Sequence, residues 1–355
     1  MQHPAASAHG LLLAGVGRNG SSLVHHLTGL PQGVRRLHVT GSPIHVLQAA
    51  PSLIRVRSDG NWRSELSQAL DGASLLLTLG SVTGREESFI PEVAALARSR
   101  GALSVAILVE PLLATSPART DAGRLLKDVS KAADATILFP ADTPQGAGLA
   151  TLQEAMQRWT SRLANTLGGL LRAAAAQDTL NMHFADIAAV LSQHSRASVG
   201  VGRGQTVEDT LHHAAKNSLA PPVELLTARS VVAHLIGDSD MSLEDARRAG
   251  PVLEHLFPKA EVCCGVSVDG DIGEIRATII AGKLDIAAAR AADRRQTRQA
   301  ETPFFKVGDP TVYDGEDLDV PTFIRKEIAL PGGPPRPVPS QKTLFDGPAR
   351  ARTTT

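Results

Sequence analysis

Two short stretches of this chain carry residue types at spacings suited to chemistry. The first is Gly15-Val-Gly-Arg-Asn-Gly20, followed by Ser21. Glycines ahead of a helix let backbone N–H groups converge on a phosphate, and the literal G-x-G-x-x-G spacing is that of a dinucleotide-binding turn. That reading needs an acidic residue about 20 positions on, at the end of the second strand, to hold a ribose hydroxyl. The chain has His38-Val-Thr-Gly-Ser-Pro43 there, with no carboxylate and no arginine, so an NAD(P)-dependent oxidoreductase is the least favoured reading. The same glycines have a use that needs no ligand, a tight turn seating a helix against a strand. The second stretch is Asn181-Met-His-Phe-Ala-Asp186. His183 is the residue type that serves as a base at neutral pH, and it serves equally as an inert turn residue. Asp186 suits the N-terminal cap of a helix starting near Phe184.

Other candidates are weaker. His25-His26 and His212-His213 are adjacent pairs, which point in different directions on a helix and do not share a metal. Cys263-Cys264 falls in a strand with one thiol on each face, an arrangement for packing. The arginines at 290, 294, 295 and 298 read as a solvated linker, or as a weak contact for anionic lipid.

The elements that must position these residues follow from periodicity. Apolar runs at Leu11–Gly15, Arg36–Thr40, Ser74–Leu79, Leu103–Leu108 and Ala135–Phe139 alternate with helical patterns at Ser21–Leu30, Trp62–Leu70, Ser88–Arg100 and Ala122–Ala132. That alternation predicts right-handed crossovers and a parallel sheet. Ala150–Ala176 reads as one long helix, in which Gly168 and Gly169 mark either weak points or close packing. An α+β unit follows: helix Phe184–Gln193, strand Ala197–Gly204, helix Val207–Ser218, strand Ser230–Ile236 and a helix opening at Ser242. It closes with strands Glu261–Ser267 and Glu274–Ala281, joined by a turn around Asp269-Gly270-Asp271 as in a hairpin.

With 36 Lys+Arg against 36 Asp+Glu among 355 residues, the chain lacks the basic field of a nucleic-acid binder. Aromatics are 3% of residues, too few for a base-stacking platform. No apolar run reaches the roughly 18 residues of a membrane span, and the first ten residues lack the pattern of a signal peptide. A cytoplasmic protein is expected. Beyond Lys283 the core pattern stops, and the Pro-rich stretch Pro331–Pro348 lacks the apolar content to offset ordering entropy. Within that tail, Tyr313-Asp-Gly-Glu-Asp-Leu-Asp-Val-Pro-Thr-Phe-Ile-Arg-Lys326 is a compact linear motif.

From Asn181 through Gly202 the chain resembles FtsZ, the bacterial relative of tubulin, which reads Asn-x-Asp-Phe-Ala-Asp, then a helix and a Gly-x-Gly strand. Gly15–Gly20, Pro140–Asp142, Ala228–Leu243 and Tyr313–Lys326 match further family stretches in the same order. The resemblance implies a tubulin/FtsZ-like fold with an α/β parallel-sheet domain (10–149), a central helix (150–178), an α+β second domain (179–283), a flexible linker (284–312), a partner-binding peptide (313–327) and a disordered tail (328–355). It further implies a GTPase, with Mg accompanying GTP, that stacks head to tail with itself or with an intact FtsZ, at the division site. Gly15, Gly17, Gly20, Ser21, Gly84 and Arg119 fall at nucleotide-binding positions. Asn181, His183 and Asp186 fall on the loop that acts on a neighbour's nucleotide. Leu318, Val320, Pro321, Phe323 and Ile324 fall on the peptide that docks to FtsA/ZipA-like division proteins.

Departures from the family cluster on the nucleotide face. Its Gly-Gly-Gly-Thr-Gly-Thr-Gly aligns with Val82-Thr-Gly-Arg-Glu-Glu-Ser88, where only Gly84 matches. If Glu86 and Glu87 point inward, each carboxylate–phosphate pair at about 5 Å costs about 3 kcal/mol at an effective dielectric near 20. If they point outward, they suit the next helix's N-terminus. Thr40-Gly-Ser42 replaces Asn-Thr-Asp, Arg55–Arg63 shortens the ribose and phosphate loop, and Ala114-Thr-Ser116 replaces Phe-Glu-Gly. Met156 and Thr160-Ser161 stand where a Phe and an Asn-Asp meet guanine. On the opposite loop His183 replaces an Asp, while Asn181 and Asp186 match. The expectation is a filament-forming or filament-modulating protein whose degenerate GTP site limits its own GTPase activity. The alternative is a divergent but active GTPase that polymerises into the division ring.

Overall fold

The computed structural model describes residues 10–41, 53–55, 61–83, 86–110, 116–140, 151–176, 179–192, 195–269, 273–285, 312–313 and 316–317. Its first compact unit, Met1–Gln296, is built on one ten-stranded sheet. Six strands form the first half: β1 (Leu11–Val16), β2 (Arg35–Thr40), β3 (Leu53–Arg55), β4 (Leu75–Ser81), β5 (Leu103–Val109) and β6 (Ala135–Phe139). They lie in the order β3-β2-β1-β4-β5-β6, all parallel. Every residue of β1, β4 and β5 is buried, which is why these strands read as near-continuous apolar runs.

Helices cover both faces. α2 (Trp62–Ala69), α3 (Ile90–Ser99) and α4 (Ser116–Ala132) flank one core, around Leu12, Ala14, Leu76, Ala106 and Leu108. On the other face α1 (Gly17–His26) and α5 (Leu152–Ala175) pack over Leu11, Leu13, Leu77 and Val105. α1 starts within the glycine stretch, four residues before the expected Ser21. α4 starts at Ser116 rather than Ala122, with Pro117 in its first turn, where the missing N–H costs nothing.

The long helix α5 was expected and is present, its start set by a capping box. Thr151 Oγ1 accepts from Glu154 N at 3.2 Å, and the Glu154 carboxylate accepts from Thr151 N at 2.9 Å. Leu163, Leu167, Leu170 and Leu171 on it are fully buried and share one core with Val199, Val232 and Ile280 of the second half. The two expected domains therefore share both a helix and a sheet, since β7 (Ser195–Gly204) pairs in parallel with β6.

The second half contains α6 (Phe184–Val190), α7 (Val207–Lys216), α8 (Pro222–Leu225), β8 (Ser230–Gly237), α9 (Leu243–Leu256), β9 (Glu261–Val268) and β10 (Ile275–Gly282). Its strand order is β7-β10-β8-β9. The expected hairpin between the last two strands is wrong. β10 inserts antiparallel between β7 and β8, and β9 lies beyond β8, parallel to it. A tight hairpin turn joins only adjacent antiparallel strands, and here a whole strand intervenes. The second unit, Thr297–Thr355, contributes one described feature, a two-residue ladder of β11 (Val312–Tyr313) and β12 (Glu316–Asp317).

Candidate functional site

The sheet order places β1 between β2 and β4. The chain leaves β1 toward β2 on one side and returns through β4 on the other, so the carboxyl ends of β1 and β4 flank a topological switch point. Ligands of open α/β sheets bind in such a crevice. Gly15–Gly20 lies there. Gly17 has φ +71°, a left-handed conformation that glycine adopts without strain. Gly15 and Gly20 are sterically required: a Cβ on Gly15 would lie 2.4 Å from Gly20 O, and one on Gly20 would lie 2.2 Å from Leu79 O. The Ser21 hydroxyl, fully buried, donates to Gly15 O at 2.9 Å. These features seat α1 against β1 and β4. At the same time no side chain caps α1, and no acid stands in its first turn. A helix start of this kind accepts one anionic group.

The opposite wall of the crevice carries a carboxylate. Glu86 opens a 3₁₀ turn, Glu86–Phe89, that touches both β1 and α1. Its Oε2 accepts a 2.7 Å hydrogen bond from Thr40 Oγ1, the last residue of β2. The cap of α3 is instead at Phe89, and the acid in that helix's first turn is Glu92. Glu86 therefore spans from the segment after β4 to the end of β2 across the mouth that holds the glycine turn. The sequence shows both residues but not their link, because nothing local encodes a contact 46 positions apart. Gly84, the side chains of Glu87 and Arg119, and Leu318, Val320, Pro321, Phe323 and Ile324 lie outside the described residues.

Thr160 Oγ1 donates back to Met156 O at 2.9 Å within α5, and Met156 is exposed. Neither position offers a carboxylate to a base. Among the described residues, the start of α1 suits a single phosphate group, and the described side chains of α5 at Met156 and Thr160 carry no acid to read a base. Among the described residues no group of three or more His, Cys, Asp or Glu is placed to hold a metal ion. None of the described helices is long and apolar enough to cross a membrane.

The second motif lies where α5 hands over to α6. Asn181 has φ +62°, His183 is the N-cap of α6, and the Asp186 carboxylate accepts from His183 N at 2.7 Å. Asp186 therefore satisfies an orphan donor of the helix, and its side chain remains 41% exposed. The His183 ring is 85% exposed, with Nδ1 4.0 Å from Asp186 Oδ2. The loop is pinned to the outer edge of β9: Leu180 and Val266 exchange backbone bonds of 2.9 and 3.1 Å, and Cys263 Sγ donates to Asn181 O at 3.3 Å. The structure thus brings Asn181, His183 and Asp186 together on one solvent-facing turn.

This sheet order, with a central helix shared by two halves, is the fold of the tubulin/FtsZ class. No family model matches the chain. Among curated proteins it is 27% identical over 242 residues to the cell division protein FtsZ of Haloferax mediterranei, covering 66% of this chain and 64% of that protein. It is 27% identical over 272 residues to FtsZ 1 of Halobacterium salinarum, covering 72% of this chain and 68% of the relative. Among solved structures, an FtsZ variant from M. jannaschii superposes with a TM-score of 0.66 at 17% identity, covering 77% of this chain and 91% of that one. A GTPγS-bound protofilament of CetZ2 from Haloferax volcanii gives 0.63 at 20% identity, covering 82% and 99%. The chain is thus similar in sequence to FtsZ proteins and shares the tubulin/FtsZ fold.

Proposed function

We propose that this protein joins or ends filaments of an intact FtsZ, using the partly intact face at Asn181–Asp186 while its own nucleotide crevice is degenerate. The observation that carries the reading is the Glu86–Thr40 bond, which keeps a carboxylate at the mouth where a nucleotide's phosphates would lie. At about 5 Å and an effective dielectric near 20, one such like-charge pair costs about 3 kcal/mol, against about 8 kcal/mol for a whole micromolar complex. On the other face Asn181, His183 and Asp186 form an exposed turn suited to a neighbouring subunit's nucleotide. Asn181 and Asp186 supply polar groups for water, and His183 supplies a base in place of a fixed negative charge. Head-to-tail association finds support in relatives described as a protofilament and as a dimer. The peptide at 313–327, through Leu318, Val320, Pro321, Phe323 and Ile324, would compete for FtsA/ZipA-like division proteins at the division site.

The test is light scattering and electron microscopy with GTP and Mg, for the purified protein alone and mixed with an intact FtsZ. The expected result is no filaments alone, and shorter or altered filaments in the mixture. GTP-dependent filaments from the protein alone would overturn this reading in favour of an active, divergent GTPase. The uncapped start of α1 is the feature that favours that second reading.

A further inference from the structure

Away from the crevice, Arg172, Arg203 and Arg276 come from three elements, α5, β7 and β10, and line one cavity of about 290 Å³. It lies between α5 and the sheet of the second half, where Gly169 packs against Val201 and Thr278. One acid pairs with two of the three cations: Oε1 of Glu274 accepts from Arg203 Nη1 at 3.2 Å and from Arg276 Nε at 3.1 Å. Among the described residues no carboxylate lies within ion-pair distance of Arg172. Burial pushes the Arg172 pKa below the ordinary arginine value, and the charges of Arg276 and Arg203 push it the same way, with Asp269 opposing. Such crowding of like charge is costly unless an anion relieves it. Gly168 is part of the arrangement. A Cβ there would lie 3.2 Å from both terminal nitrogens of Arg172, so a helix-interior glycine, at a cost of about 1 kcal/mol relative to alanine, lets the guanidinium fold back along α5.

We propose that this cavity is a binding site for a small phosphate monoester, its phosphate held by Arg172, Arg203 and Arg276 and its organic part lying against Val201 and Ile236. Three guanidiniums against the one carboxylate in ion-pair contact, Glu274, leave a formal excess of two positive charges, which the more distant Asp269 offsets in part without pairing. A phosphate monoester, at roughly −1.5 to −2 near neutral pH, matches that excess, whereas a single carboxylate leaves half of it unmet. Guanidinium forks also fit phosphate oxygens in pairs. The cavity is near the lower end of the roughly 300–1,000 Å³ typical of small-molecule sites, which leaves space beyond the phosphate for a compact organic group.

The test is isothermal titration of the full chain with ribose 5-phosphate and, separately, with inorganic phosphate. Arg172→Gln, Arg276→Gln and the more exposed Arg203→Gln are compared with the parent, and circular dichroism checks that each variant is folded. The expected result is saturable binding of ribose 5-phosphate that weakens tenfold or more in each folded variant, with inorganic phosphate binding more weakly. Absence of binding to the folded parent at millimolar ligand, or binding unchanged in Arg203→Gln and the other folded variants, overturns the site. Equal affinity for inorganic phosphate overturns its assignment to an ester.

Discussion

The Thr40 hydroxyl, at the end of β2, donates a 2.7 Å hydrogen bond to the Glu86 carboxylate, at the start of the 3₁₀ turn that follows β4. The two side chains close one wall of the crevice in which the glycine turn lies. Glu86→Gln keeps an acceptor for the hydroxyl and removes the charge. Folding stability is expected to change by less than about 1 kcal/mol, while affinity for GDP or GTP rises by about tenfold or more. Fluorescent-nucleotide titration alongside urea unfolding measures both. Unchanged nucleotide affinity in a stable variant would show that the carboxylate does not govern the crevice.

The glycine turn makes a separable prediction. Because a Cβ on Gly20 would lie 2.2 Å from Leu79 O, Gly20→Ala is expected to destabilise the protein by about 3 kcal/mol whether or not nucleotide is present. A thermal or urea melt without ligand decides this. A variant as stable as the parent would mean that the glycine serves a ligand and not the packing of α1.

His234 links stability to pH. It is 2% exposed in β8, with Nε2 2.8 Å from Ser267 Oγ, and burial, helped by nearby Arg172, lowers its pKa from 6.5 to about 4. The unfolded chain takes up this proton below about pH 6.5, whereas the folded chain does so only near pH 4. The stability contributed by the neutral ring is therefore complete above pH 6.5, is lost as pH falls from 6.5 to 4, and changes no further below that. The full loss is about 3 kcal/mol. Urea midpoints across this window should fall less steeply in His234→Gln than in the parent. Parallel slopes would contradict the assignment.

The adjacent thiols should be inert in the folded protein. Burial, followed by the neighbouring Cys263, pushes the Cys264 thiol up to about 12, and burial together with the Asp186 charge raises that of Cys263. At pH 8 the native protein is expected to react with iodoacetamide at Cys264 at least a hundredfold more slowly than free cysteine does, with Cys263 the faster of the two. Peptide mapping by mass spectrometry reads both rates. Rapid labelling of Cys264 without unfolding would show that β9 opens readily.

What the chain determines locally is plain in its residues. Mainly apolar runs such as Leu75–Leu79 became strands buried on both faces, and the uninterrupted stretch after Ala150 became α5, started by Thr151 and Glu154. Those signals rest on periodicity and capping within a few neighbouring positions, so a linear reading recovers them. The Asn181–Asp186 turn was legible for the same reason. Tertiary structure alone decided which distant groups meet. It set β10 between β7 and β8, so that β9 and β10 form no hairpin, and it joined Thr40 to Glu86. It also gathered Arg172, Arg203 and Arg276 around one cavity. Strand order is fixed by the packing of whole faces, and a charged side chain on a helix reads as solvated until the element opposite it is known. The glycines at 15, 17 and 20 show the division most clearly: their spacing is in the sequence, but only the 2.2 Å that would separate a Cβ on Gly20 from Leu79 O shows how much of it serves packing.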